Sequence, residues 1–156
     1  MGIDRRLSRL AHGLIHMSQH EGVATSKSIA KMFDTNPVVV RRMMAGLRKD
    51  GIVDSQKGHG GGWLLIKKLE DITLLDIHQA LGNSNIVSIN LTHEQPECLV
   101  VQAVNEALEK SITEARTLLY KRFGEISLAD IANSFENKKQ NLTKDSAAAL
   151  CPSRHK

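Results

Sequence analysis

Residues 56–63 read QKGHGGGW, four glycines and a histidine set between a lysine and the chain's only tryptophan. Such a run either cradles a phosphate or turns a hairpin. A phosphate-binding loop needs its lysine after the glycines, followed by Ser or Thr at the start of a helix. Here Lys57 precedes Gly58, and Trp63 begins WLLIKK (63–68), which has the composition of a strand. With IVDSQ (52–56) on the other side, the run is expected to be the tip of a two-stranded hairpin. Glycine tolerates positive φ there and lets backbone approach a partner closely. Lys57 and His59 would then project towards a groove or a phosphate. A plain solvated loop remains the alternative that these residues leave open.

Working upstream, Leu7, Leu10, Leu14 and Met17 recur at helical spacing, which predicts a helix over 6–20. Ser26 is expected to cap a short second helix that buries Ile29, Ala30 and Phe33. A tight turn, DTN (34–36), follows. Asn36 then caps a third helix with Pro37 at its first position, where a missing N–H costs nothing. Val40, Met43, Met44 and Leu47 form its inner stripe, and Gly51 ends it in the left-handed conformation. Its outer face carries Val38, Arg41, Arg42, Arg48 and Lys49.

Downstream, Thr73 and Asp76 have capping-box spacing, Ile72 and Ile77 suit a hydrophobic staple, and Gly82 stops the helix they begin. Residues 83–96 read as a polar, irregular loop. Pro96 leads into a long helix from about Glu97 to Phe123, with Val101, Val104, Leu108, Ala115 and Leu118 in an a/d-like repeat interrupted by Ser111. Ser127 and Asp130 open a last helix that buries Leu128, Ile131 and Phe135. From Asn137 onward nothing is periodic, and a disordered tail is expected. The fold class is therefore mostly α: a winged helix-turn-helix with a two-stranded β-wing and a long C-terminal dimerisation helix. Its expected divisions are 1–82 (winged helix), 83–96 (linker or sensor loop), 97–136 (dimerisation helix and short final helix) and 137–156 (tail).

Composition narrows the function. The 156 residues are 41% hydrophobic but only 3% aromatic, so the core must be aliphatic, which suits helix packing. The net charge of +4 is uneven. Residues 25–68 hold nine Lys/Arg against Asp34, Asp50 and Asp54, whereas residues 83–156 hold nine of each sign. A basic block on an otherwise neutral chain points to a polyanion at one end. Two cysteines, Cys98 and Cys151, make neither a disulfide framework nor a zinc ribbon. No apolar run has the length of a membrane span, and the N-terminus has no signal-peptide core, so a bacterial-type cytoplasmic protein is expected. No nucleophile–base set, carboxylate pair or cofactor loop marks an enzyme.

The segments RLSRLAHGLIHM (6–17), TNPVVVRRMMAGLRKDGIVDSQKGHGGGW (35–63) and LEDITLLDIHQALG (69–82) resemble the Rrf-two family of bacterial repressors, the IscR, NsrR and CymR group, nearest its YwnA-like branch. The match covers residues 5–123. The resemblance implies a homodimeric DNA-binding regulator, usually a repressor. Its long helices would cross, and two recognition helices would enter successive major grooves of a palindromic operator in double-stranded DNA. The contact positions it implies are Asn36, Val38, Val39, Arg41, Arg42 and Lys57, with Gly58 to Gly62 shaping the wing; His59 joins them from the residue reading. Where many members carry Tyr and Glu-Gln, this chain has Val39 and Arg41-Arg42, so the resemblance implies the docking geometry but not the operator sequence.

Many members hold an iron–sulfur cluster on three cysteines before the long helix. This chain keeps only Cys98 there, so no cofactor of that type is expected. Cys98 falls in the first turn of the long helix, where the dipole favours negative charge. It is either a redox or electrophile sensor or an inert thiol. His12, His16 and His20 lie along one helix face at i, i+4, i+8; an iron–sulfur cluster or metal ion at a mixed site of His12, His16 and a partner's Cys98 is the less favoured reading beside a simple histidine face. A winged helix used only for protein contact is the alternative function.

Overall fold

The computed structural model describes residues 5–20, 22–82, 89, 91 and 97–140. Six helices and one hairpin follow in order: α1 (Arg6–Ser18), α2 (Ser26–Met32), α3 (Pro37–Lys49), β1 (Val53–Gln56), β2 (Gly62–Leu65), a 3-10 turn (Leu69–Asp71), α4 (Leu74–Ala80), α5 (Leu99–Glu125) and α6 (Leu128–Gln140). Most of the 83–96 loop with Pro96, the tail from residue 141, and Cys151 lie outside the described residues.

The core is aliphatic. Leu10 and Leu14 of α1, Ile29 of α2, Val40, Met44 and Leu47 of α3, Ile52, Val53, Ile72 and Ile77 are all but inaccessible to solvent. The inner stripe of α3 is the expected Val40, Met43, Met44 and Leu47. Local chemistry sets the helix starts. Asn36 Oδ1 accepts from the Val38 and Val39 N–H groups, both at 3.0 Å, with Pro37 in the first turn. At α2 the expectation is corrected. Thr25, not Ser26, is the cap: its backbone is extended, and its Oγ1 accepts from the Ser28 N–H at 3.0 Å. Ser26 is instead the first helical residue, which turns its hydroxyl to another task described below. Gly51 (φ +67°) and Gly82 (φ +86°) stand just after α3 and α4, where the left-handed backbone favours glycine.

The C-terminal helix departs from the expected division. Thr73 and Asp76 form a capping box at α4, and Ser127 and Asp130 form a second at α6. The two box residues face each other across an antiparallel bridge. The Leu74 N–H donates to Ile126 O at 3.1 Å, and the Leu128 N–H donates to Ile72 O at 2.8 Å. The corner after α5 is thereby stitched to the start of α4, and Leu128 enters the core with no exposed area. Helix α6 thus packs against α1 and the 3-10 turn as part of the winged domain. It also runs to Gln140 rather than ending near Glu136, because Asn137 to Gln140 contain no glycine or proline to stop it. Helix α1 ends at Ser18, two residues short of expectation, and α5 is shifted two residues to 99–125 with Cys98 as its N-cap.

Candidate nucleic-acid interface

Burying the apolar stripe of α3 forces the opposite face outward. Val38, Val39, Arg41 and Arg42 are all exposed, and so is the cap residue Asn36. Val38, Arg41 and Arg42 are spaced i, i+3, i+4, so they share one strip of the helix surface. Arg48 is exposed too, but its Nε donates to Asp54 Oδ1 at 2.9 Å. That oxygen also accepts from the Ser55 N–H at 2.7 Å. The Ser55 hydrogen bond and then the Arg48 guanidinium hold the Asp54 carboxyl below its ordinary range. Arg48 therefore ties the end of α3 to the first strand of the hairpin, a role its place on the outer face did not suggest.

The hairpin has the expected architecture. β1 and β2 are antiparallel, from Val53 opposite Leu65 to Gln56 opposite Gly62. At its base the Ile66 and Lys67 N–H groups both donate to Ile52 O, at 3.1 and 3.3 Å, so pairing curls around the strand end. Lys57, Gly58, His59 and Gly60 form the exposed tip. Gly58 (φ +103°) and Gly60 (φ +81°) use the freedom that only glycine offers without strain, and the Gly61 N–H donates back to Gly58 O at 3.0 Å. Gly62 serves a different purpose: a Cβ there would lie 2.6 Å from Ala24 O. Ala24 pairs with Trp63 through two hydrogen bonds of 2.9 and 2.8 Å. The Trp63 Nε1–H also donates to Ser26 Oγ at 2.9 Å. The hairpin is thus anchored to the start of α2, so wing and helix-turn-helix are held as one surface. The sequence did not reveal this anchor; a lone tryptophan after a glycine run is its single visible trace.

The other candidates are scattered. Cys98 is a half-buried free thiol at the N-cap of α5. His12 and His16 meet edge to face with ring centroids 4.6 Å apart. Burial, then His12 and His20, hold the His16 imidazole below its ordinary pKa. Among the described residues no three His, Cys, Asp or Glu side chains gather to hold a metal ion. With Cys98 the one cysteine near the start of α5, a three-cysteine cluster does not fit this chain. Along α5, Val104 and Leu118 are 51% and 63% exposed, Ala115 is exposed, and Val101 and Leu108 are half-buried; Leu99 (77%) and Val100 (71%) extend the apolar strip. Among the described residues no helix is long and apolar enough to cross a membrane.

Residues 3–134 match the family model Rrf2, described as an iron-dependent transcriptional regulator. The chain is 31% identical over 131 residues to YwnA of Bacillus subtilis (strain 168), named as an HTH-type transcriptional regulator, covering 84% of this chain and 97% of YwnA. Its fold is similar to that of T. potens IscR, with a TM-score of 0.57 at 24% identity over 89% of this chain and 91% of that one. CymR (YrzC), the global cysteine regulator of B. subtilis, superposes with a TM-score of 0.53 at 21% identity over 86% and 98% of the two chains. A capped helix with an arginine pair outward, a glycine-tipped wing locked beside it and a long helix behind are thus found in a chain matched over most of its length. The protein belongs to the Rrf2 family of winged helix-turn-helix transcriptional regulators, which are not enzymes.

Proposed function

We propose that this protein is a sequence-specific repressor that binds a palindromic operator as a homodimer. Helix α3 enters the major groove, with Arg41 and Arg42 gripping base edges or phosphates and Val38 and Val39 beside them. Asn36 and Lys57 contact the flanking backbone, and the tip of Gly58, His59 and Gly60 lies along it. The apolar strip of α5, with Val101, Val104, Leu108, Ala115 and Leu118, pairs with the same strip of a second copy. Half to three-quarters exposure of several Leu and Val residues on one helix supports that pairing, since such strips are seldom left in water. Two recognition helices then meet half-sites about one helical turn, roughly 34 Å, apart. The single observation that carries the proposal is the pair Arg41–Arg42 on the solvent face of a helix whose opposite face is entirely buried, with the wing fixed beside it.

Changing both arginines to alanine should weaken binding to the upstream intergenic duplex and reduce the salt slope by about two. Unchanged binding would remove α3 from the groove. Affinity that does not fall with salt would favour the protein-contact alternative. Sedimentation should give a dimer, and Leu118→Glu a monomer. For the signal, Cys98 is the candidate: a thiol at the N-cap of the pairing helix, just before its first residue Leu99, is placed to alter how that helix starts when oxidised.

A further inference from the structure

We infer that Val38 and Val39 read the 5-methyl groups of thymines, so that each operator half-site carries thymine within about two base pairs of the bases met by the arginine pair. The inference rests on α3 lying in the major groove, as proposed above. The observation behind it is a contrast within one helix-turn-helix. Ile29, Phe33, Val40, Met43, Met44 and Leu47 are all 6% exposed or less, whereas Val38 is 59% and Val39 37% exposed. Val38 stands in the same exposed strip as Arg41 and Arg42, with Val39 exposed beside it three residues before Arg42, on the part of the chain with the surplus of positive charge.

Their backbone offers nothing further to a ligand, because both N–H groups already donate to Asn36 Oδ1. Only the side chains are left to act. A valine in a helix holds essentially one rotamer, so its two methyls are presented in place with little entropy to lose on contact. The apolar feature a duplex displays in the major groove is the thymine methyl, which also distinguishes T·A from A·T. Val38 and Arg42 are four residues apart, about 6 Å along the helix. Against a rise of about 3.4 Å per base pair, that is about two steps. The flanking arginines select a polyanion as the occupant in preference to an apolar groove on another protein.

The test selects sites from a random duplex pool with the wild-type protein and resynthesises the best one with deoxyuridine replacing thymine, one position at a time. Fluorescence anisotropy at fixed salt then gives each affinity. Removing the methyl that is read should weaken wild-type binding about four-fold, the value of one buried methyl-sized group, and Val38→Ser or Val39→Ser should lose most of that sensitivity at its own position. Both valines are exposed, so both variants should melt with the wild type; the deoxyuridine arm needs no variant. If no position responds, or if both variants respond fully, the methyl reading is overturned and the valines pass to protein contact. If Arg41→Ala/Arg42→Ala binds the selected site as tightly as wild type, the groove assignment itself fails and takes this inference with it. Weakened binding by that double variant, with deoxyuridine still without effect, overturns the methyl reading alone.

Discussion

Replacing Gly46 by alanine sets two effects of opposite sign against each other. Gly46 lies in the interior of α3, where by intrinsic propensity alanine is about 1 kcal/mol better than glycine. A Cβ at that position, however, would fall on the carbonyl oxygen of Ala80, well inside the 3.4 Å of ordinary contact. The obstacle is backbone at the end of α4 and cannot rotate aside. Helices α3 and α4 must separate, at an overpacking cost of about 3 kcal/mol, the upper part of the usual range. The net is a loss of about 2 kcal/mol, which for a chain of this length lowers Tm by about 4–8 °C. Differential scanning calorimetry of Gly46→Ala measures this directly. A Tm equal to or above the wild type would refute the close approach of α3 to α4. Because α3 carries the arginine pair, operator affinity should fall in the same variant.

Other outcomes follow from the same geometry. Ser26→Ala removes the acceptor of the Trp63 indole and should cost about 1 kcal/mol; faster amide exchange in β2 than in α3 would confirm that the wing has been loosened. Thr73→Ala should cost about 1 kcal/mol through loss of the capping box at α4, read as a lower denaturant midpoint with unchanged m. His16 has a folded pKa below 6.5. The unfolded chain therefore takes up its proton first, so the stability given by the neutral ring is complete above that value and is lost as pH falls below it. Melts from about pH 7 down to 5.5 should show a falling Tm whose slope is reduced in His16→Gln; parallel slopes would contradict the assignment. Peroxide should change the operator affinity of the wild type and leave Cys98→Ser unaffected, and equal responses would end the sensor role of Cys98.

Much of the candidate interface was legible because its geometry depends on neighbours within a few positions. The stripe Val40, Met43, Met44 and Leu47 repeats at helical spacing, so which face of α3 is buried, and hence that Arg41 and Arg42 face water, follows from periodicity. The caps at Asn36, Thr73 and Ser127 bind backbone two or three residues ahead. The glycines at the hairpin tip answer to their own φ. The Thr25 and Ser26 exchange shows the limit even locally: either residue can cap, and the choice went to the one that left Ser26 free for Trp63.

By itself, then, the chain's order of residues determined the helix faces, the caps, the hairpin and the exposed cationic pair, since each is set by spacing along a few residues of backbone. Only the tertiary structure decided that the wing is pinned to α2 through an indole bond spanning 37 positions, that Arg48 is held by Asp54, that Gly46 makes room for α4, and that α6 returns to bury Leu128 beside Ile72. Those contacts join segments whose approach depends on how helices cross in three dimensions. No local pattern of polar and apolar residues encodes a crossing.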